Sequence, residues 1–327
     1  MKRENYMNDF KYLLSIIIPC CNAEKTISNC LDSILHQIND NVEVICINDG
    51  SDDKTIDILD KYSNRITIID SEHEGVSVAR NKGISTSKGQ WIWFVDADDL
   101  ITNDAISKII PTLLDNNFDV ISYAADVENN PNSDNKLSNL TTDDEVVSND
   151  NVFNLWINKF HSPYVWNCIY KTDFLKKHHI LFSKSLTIGE DMAFQMMVFS
   201  RAKQYRTYSF SIYIYKYLIN DSVMKEALKF CRVPYHIDVL DEILTTNSHL
   251  LNEEQKKMLY LWSYDYVLVD CFLNPKYLPK LRKVWKKNKA KYPFNNGIKN
   301  KLKGLVLKNS LICKLFCVYK TIFTKRH

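Results

Sequence analysis

Five carboxylates stand where they could share one piece of chemistry. Asp49 follows an apolar run, Asp96, Asp98 and Asp99 follow another, and Asp191 heads a helix-like segment directly after Glu190. Moving a group from a diphosphate to a hydroxyl sets two tasks: the departing charge must be neutralised and the hydroxyl proton removed. A divalent cation suits the first, and Mg or Mn takes hard oxygen ligands, one or two of them protein carboxylates and the rest substrate phosphates and water. Side chains alternate along an extended segment, so Asp96 and Asp98 face one side, one to reach a metal and the other a ribose or a metal-bound water. The second task needs a base. Asp191 precedes the periodic apolar residues Met192, Phe194, Met197 and Val198, and a helix N-terminus favours the ionised form that a base requires. Acidic turns and acidic first helical turns are also ordinary features, so each motif alone leaves the bland reading open.

These residues need a frame. Leu13 to Ile18 is a continuous apolar run, and Ile27, Leu31, Ile34 and Leu35 share one face of a helix over Glu24 to Gln37. The pattern repeats with a strand at Val42 to Ile47, a turn at Asn48 to Ser51 and a helix at Asp53 to Tyr62, then with a strand at Ile66 to Ile69 and a helix at Val76 to Ile84. Trp91 to Val95 is apolar at every position, as in strands covered on both faces. The acidic loops follow these strands, and ligands of such sheets bind at the strands' carboxyl ends. Further on, the sequence predicts a helix at Ala105 to Leu114, a strand at Phe118 to Ala124, a polar insertion from Glu128 to Asp150, helices at Asn151 to Phe160 and Asp191 to Phe199, and a strand at Tyr208 to Tyr217. From Met224 onward the chain reads as mainly helical. The expected organisation is a tail over 1–12, an α/β domain over 13–224 whose two halves meet at 104/105, and a helical basic region over 225–327.

Charge divides the chain the same way. No acidic residue follows Asp270, whereas sixteen Lys and Arg do; residues 1 to 270 carry 26 basic and 39 acidic side chains. Nine cysteines without CxxC spacing fit reduced thiols in a cytoplasmic compartment. The sequence has neither a signal-peptide pattern nor an uncharged apolar stretch long enough to span a bilayer. Its histidines lack zinc-site spacing, and it contains neither G-x-x-x-x-G-K-[ST] nor G-x-G-x-x-G, which argues against P-loop and hydride-transfer chemistry.

Five motifs in order, Ser15 to Glu24, Ile47 to Asp53, Gly75 to Gly83, Phe94 to Asp99 and Gly189 to Asp191, resemble those of glycosyltransferase family 2, over about residues 13 to 224. The resemblance implies a GT-A fold with a Rossmann-like, mostly parallel sheet, an inverting mechanism, Mg or Mn, and a nucleotide-diphosphate sugar donor, usually UDP-linked. It implies that Pro19, Asn22 and Glu24 line the nucleotide pocket with Ser51, that Asp49 accepts from the uracil imide, and that Arg80 lies on the diphosphate side. Asp96 would meet ribose, Asp98 the metal, and Asp191 would be the base. Trp166 and Glu190 fall on the acceptor side, and Tyr215-Lys216 with Ser222 to Met224 resembles the loop that closes over the diphosphate. The sequence departs from the family at Cys21, where an aromatic residue usually stacks on the base, at Cys168 in place of a lysine, and in one extra residue between Lys216 and Ser222.

The implied activity is transfer to a glycan or lipid-linked acceptor in surface-polysaccharide synthesis. A sugar-nucleotide pyrophosphorylase would need a Gly- and Arg-rich loop that Pro19 to Lys25 does not provide; intact Asp96, Asp98 and Asp191 argue against an inactive binding module. Leu311, Ile312, Leu315, Phe316, Val318, Tyr319, Ile322 and Phe323 would line one side of a helix. With the acid-free run Lys280 to Lys291, this predicts peripheral contact with an anionic membrane at the cytoplasmic face. No nucleic-acid reading motif accompanies the basic charge.

Overall fold

The computed structural model describes residues 10–128, 144–149, 151–160, 163–216, 233–263 and 275–287, together with Val267 and Cys271. The chain forms two compact units, one of residues 1–156 and 160–219, the other of 157–159 and 220–327. The first holds one sheet that runs through both expected halves of the α/β domain.

Its strands are β1 (Tyr12–Cys20), β2 (Val42–Asp49), β3 (Thr67–Ser71), β4 (Gly89–Phe94), β5 (Leu100–Ile101), β6 (Val120–Glu128), β7 (Val146–Ser148), β8 (Cys168–Lys171) and β9 (Gln204–Lys216). They lie in the order β3-β2-β1-β4-β8-β6-β9-β5, with β7 on β9. β3, β2, β1 and β4 are parallel; β8 is antiparallel to both β4 and β6, and β6 and β9 run parallel again. The ends of β1, β2, β4, β6 and β9 therefore share one edge with the start of β8.

The apolar runs are explained by cover on both faces. Leu14, Ile16, Ile18, Trp91 and Trp93 belong to one core with Ile27, Cys30, Leu31, Ile34 and Leu35 of helix α1 (Ile27–Leu35) and Ile106 and Ile109 of a helix at Ala105–Leu113. On the other face Phe94 meets Phe182, Phe194 and Tyr170 edge-on or tilted. Full burial of one such side chain contributes roughly 1.5–3 kcal/mol, so the sheet's centre is its firmest part. Helix α3 (Val76–Thr86) lies so close to β1 that a Cβ on Gly83 would collide with Ile17 Cγ2. Glycine there lets the helix backbone rest directly on the strand.

Several expected bounds move. The helix predicted from Glu24 begins at Ile27, and the one from Asp53 is α2 (Thr55–Asp60), because residues 22–24 and 51–53 are held in loops by side-chain hydrogen bonds. The short β8, unread in the sequence, begins two residues after Trp166. Within the predicted insertion, Val146–Ser148 pairs with β9.

In the second unit, helices span Val233–Thr245, Glu253–Trp262 and Leu278–Lys287. Asn252 caps the second through a reciprocal bond pair with Gln255. Leu278, Leu281, Val284 and Trp285 are buried. Lys280 and Lys287, from the run expected to face anionic lipid, pair with Asp238 (2.6 Å) and Asp241 (3.3 Å); such exposed pairs contribute about 0–1 kcal/mol. The amphipathic segment 311–323 and the motif Ser222 to Met224 lie outside the described residues. No helix among the described residues is long and apolar enough to cross a membrane.

Candidate active site

At the shared edge, the loops after β1 and β2 are laced together. Asn22, in the left-handed region at φ 51°, accepts at Oδ1 from Asp52 N (2.8 Å), while its own N donates to Ser51 Oγ (3.0 Å). Ser51 Oγ in turn donates to Asn48 Oδ1. Asp53 accepts from Glu24 N and Thr55 N, and Glu24 Oε2 accepts from Lys54 N. Each bond is worth about 0.5–1.5 kcal/mol net; together they give Asn22, Glu24 and Ser51 one fixed arrangement. Pro19 is on β1 itself, paired in register with Ile47.

Asp49 ends β2 and is nearly fully buried, its oxygens accepting from Glu74 N (2.8 Å) and Gly75 N (2.9 Å). It thus fastens the loop after β3 to the end of β2. Cys21 is exposed, with Sγ 3.7 Å from His73 Nδ1. Partial burial, then the charges of Asp49, Asp52 and Asp53, raise its thiol pKa.

Across the edge the device is a single buried cation. Arg80, on α3 one turn before Gly83, is 4% exposed. Its Nη1 donates to Asp191 Oδ1 (2.6 Å) and Glu190 Oε1 (3.2 Å), its Nη2 to Asp96 Oδ1 (3.0 Å). The Phe182 ring covers the guanidinium, with its centroid 5.2 Å from Cζ. Arg80 is expected on the diphosphate side; here both its Nη atoms hold carboxylates.

One guanidinium faces three carboxylates, so negative charge is in excess. Burial by itself would lower the Arg80 pKa, but Asp191, Asp96 and Glu190 overcome it and raise it further. Burial, against the opposing pull of Arg80 and reinforced by Glu190 and Asp96, holds the Asp191 carboxyl well above the usual carboxylate range. Asp98 is pushed up to about 6 by burial and the Asp96 charge, and Asp99 to about 8 by burial and the charges of Asp96 and Asp98. Carboxylates crowded in this way, offering only oxygen donors, suit a hard divalent cation. Asp96 and Asp98 both keep partial exposure, while Ala97 and Asp99 are buried, but the segment is a turn closed by Asp99 N donating to Asp96 O (3.2 Å) rather than the extended run that alternation assumed.

Asp99 has a second task that its motif did not suggest. It accepts from Tyr213 Oη (2.7 Å) and Lys216 N (2.7 Å), and Tyr213 Oη accepts from Asp96 N (3.1 Å). The loop after β4 is thereby bound to β9. No sequence signal separates Tyr213 from the neighbouring tyrosines of that strand. Trp166, expected on the acceptor side, is 2% exposed and stacks on Tyr213 (4.4 Å) and Tyr164 (4.9 Å). Its ring is part of the core, backing the half-buried Tyr164 and Tyr215. Glu190 opens helix α7 (Glu190–Arg201) beside Asp191.

Comparison with known proteins is consistent with this geometry. Residues 15–179 match the family model described as "Glycosyl transferase family 2". The chain is similar to an uncharacterized glycosyltransferase of Bacillus subtilis, EpsJ, at 27% identity over 62% of this chain and 61% of that protein. It is also similar to a poly(ribitol-phosphate) beta-glucosyltransferase of Bacillus spizizenii, at 29% identity over 58% of this chain and 30% of the relative. The chain thus spans less than two thirds of either relative's length. A structure of S. aureus TarS 1–349 in complex with UDP-GlcNAc aligns with a TM-score of 0.70 at 20% identity, over 94% of this chain and 89% of that one.

Proposed function

The chain belongs to glycosyl transferase family 2 and has a GT-A type α/β fold, and from that premise we propose that it transfers a sugar from a UDP-sugar to a glycan or lipid-linked acceptor of a surface polymer, with inversion. The observation that carries the reading is the Arg80 hub, which joins Asp96 on the donor side to Asp191 in a separate part of the chain. UDP as the nucleotide is supported by the UDP-GlcNAc complex of TarS, and a polymer acceptor by the poly(ribitol-phosphate) beta-glucosyltransferase.

In this reading the laced loops around Asn22, Glu24, Ser51 and Asp49 receive the nucleoside, and Asp96 receives the ribose. Asp98, with Asp96 beside it, would hold Mg or Mn, which when bound supplies positive charge against the leaving diphosphate. Asp191 takes the proton of the acceptor hydroxyl as that oxygen bonds to the anomeric carbon and the bond from that carbon to the diphosphate oxygen breaks. Burial and the neighbouring carboxylates strengthen its hold on that proton, while Arg80 fixes its direction. Attack comes from the face opposite UDP, so an α-linked donor gives a β-linked product. Arg80 acts as a positioning residue. The acceptor enters past Glu190 and the Tyr164 and Tyr215 rings, at the cytoplasmic face of the membrane.

The test is a panel of UDP- and GDP-sugars with Mg or Mn, reading donor hydrolysis and transfer for wild type and Asp191→Asn. Turnover of a UDP-sugar, lowered about 10²- to 10⁴-fold in the variant with unchanged donor binding, is the expected result. Wild-type turnover by Asp191→Asn would remove the assigned base.

A further inference from the structure

We propose that Cys21, His73 and Asp49 form a binding site for a borderline-soft divalent cation of the zinc type, where the loops after β1, β2 and β3 meet. It lies on different loops from Asp96 and Asp98, and its donor set is of a different kind. Among the described residues, this trio places one sulfur, one nitrogen and one oxygen ligand atom within 4.8 Å of one another.

The geometry is close to that of a bound ion. Cys21 Sγ is 3.7 Å from His73 Nδ1, and Nδ1 is 3.3 Å from Asp49 Oδ2. Tetrahedral zinc with bonds of about 2.0–2.3 Å needs ligand separations of about 3.3–3.6 Å. Both measured distances lie near those edges. The third edge, between Cys21 Sγ and the Asp49 carboxylate, is no longer than 4.8 Å, and Cys21 is exposed. Thiolate and imidazole together select zinc over Mg or Mn, which prefer oxygen alone.

The surroundings hold these ligands in place. Asp49 is oriented by the Glu74 and Gly75 amides, the kind of outer contact that fixes a ligating carboxylate. His73 comes close because residue 50 is glycine, at φ 62°; a Cβ there would stand 2.5 Å from His73 N. Nδ1 now lies 3.0 Å from the Asp49 carbonyl; with the ion on Nδ1 the neutral imidazole carries its single proton on Nε2. One proton leaves the Cys21 thiol and passes to solvent. Asp52 and Asp53 add to the negative potential that Cys21 feels, which favours a cation. Three protein ligands leave a fourth position for water.

The site stands on this geometry alone. Its consequence, that zinc and the donor nucleotide exclude each other because both need Asp49, rests on the donor reading above. The experiment titrates full-length protein, stripped of metal and held under reducing conditions, with Co²⁺ and then Zn²⁺. We expect one equivalent with a thiolate-to-cobalt absorption band and displacement of cobalt by zinc. Cys21→Ser and His73→Ala, both at exposed positions, lose the band and weaken zinc binding by more than about tenfold, with unchanged thermal melting in the absence of metal. Asp98→Asn keeps the band. Zinc binding of wild-type strength in Cys21→Ser, or a cobalt spectrum without thiolate character, overturns the site. UDP binding is then measured with and without zinc. Weakening by zinc in wild type but not in Cys21→Ser supports mutual exclusion; indifference of UDP to bound zinc overturns the exclusion and the placing of the base at Asp49 together, while the metal titration judges the site separately.

Discussion

The two ends of the carboxyl edge are held by opposite means. At the β1–β2 end, Asn22, Glu24, Ser51 and Asp53 are fixed by many neutral or singly charged hydrogen bonds, largely to backbone amides and much of it exposed. At the β4–α7 end, Asp96, Glu190 and Asp191 converge on one buried guanidinium. The first is redundant, so losing one bond leaves the others. The second is concentrated, so losing one group leaves several charges uncompensated. On the proposed reading the contrast suits the work: a nucleoside needs a shaped seat held from many sides, whereas proton removal beside a leaving diphosphate needs charges poised against each other.

The largest expected effect comes from removing the cation. Arg80→Met should destabilise the protein by about 3–5 kcal/mol in urea unfolding and abolish transfer, because buried carboxylates are left without a counter-charge. Arg80→Lys should recover part of the stability but little activity, since an ammonium cannot reproduce the fork; full activity in the lysine variant would mean that charge alone is what the hub supplies. The next effect is one of pH. Folded Asp98, at about 6, and Asp99, at about 8, keep protons that the unfolded chain has released above about pH 4. The folded state thus binds more protons, and its stability falls as pH rises through that window. Metal-free protein should melt at lower temperature at pH 8 than at pH 5, and Asp98→Asn should flatten the dependence by about 1–1.5 kcal/mol. A metal-free melting temperature that rises across this window would show that the excess charge is relieved in some other way.

Smaller again is Gly83→Ala. Its methyl would strike Ile17, pushing α3 and hence Arg80 off β1, for about 1–3 kcal/mol and a loss of activity greater than that of other substitutions of equal stability cost. The smallest effect is expected at the redundant end. Ser51→Ala removes bonds to Asn48 and Asn22 and should cost about 1 kcal/mol, with a few-fold weaker UDP binding measured calorimetrically. A collapse of UDP binding in that variant would show the seat to be as concentrated as the hub.

How much of this was legible in the sequence follows from the range of each interaction. Leu13–Ile18, Val42–Ile47 and Trp91–Val95 announced their strands because burial on both faces removes any need for polar alternation. The four residues of β8 announced nothing: Cys168 to Lys171 is too short for a period to show, and its place between β4 and β6 is decided by long-range pairing. Asp96, Asp98 and Asp191 stood out as carboxylates at element ends. That one arginine would collect Asp96, Glu190 and Asp191 did not, because spacing along the chain carries no record of which helix folds over which strand. Asp49 was legible as a site residue, but its bonds to the Glu74 and Gly75 amides were not, since backbone donors leave no mark in residue type. Cys21 was visible as a departure from the family; His73 beside it became visible only once Gly50 was seen to let that loop in.

The reversed strand β8 separates two kinds of evolutionary freedom. The carboxylates Asp49 and Asp96 stand at or just after strand ends, whereas Trp166 and Asn167 precede a strand that runs the other way and reach the same edge from its starting end. Trp166 and Asn167 are themselves tied to the core, the Trp166 carbonyl accepting from Trp93 Nε1 (2.7 Å) and the Asn167 carbonyl from Tyr123 N (2.9 Å), so any freedom on this side lies in residues before them. On the proposed reading, descendants of this chain could change what they build upon while keeping what they build with.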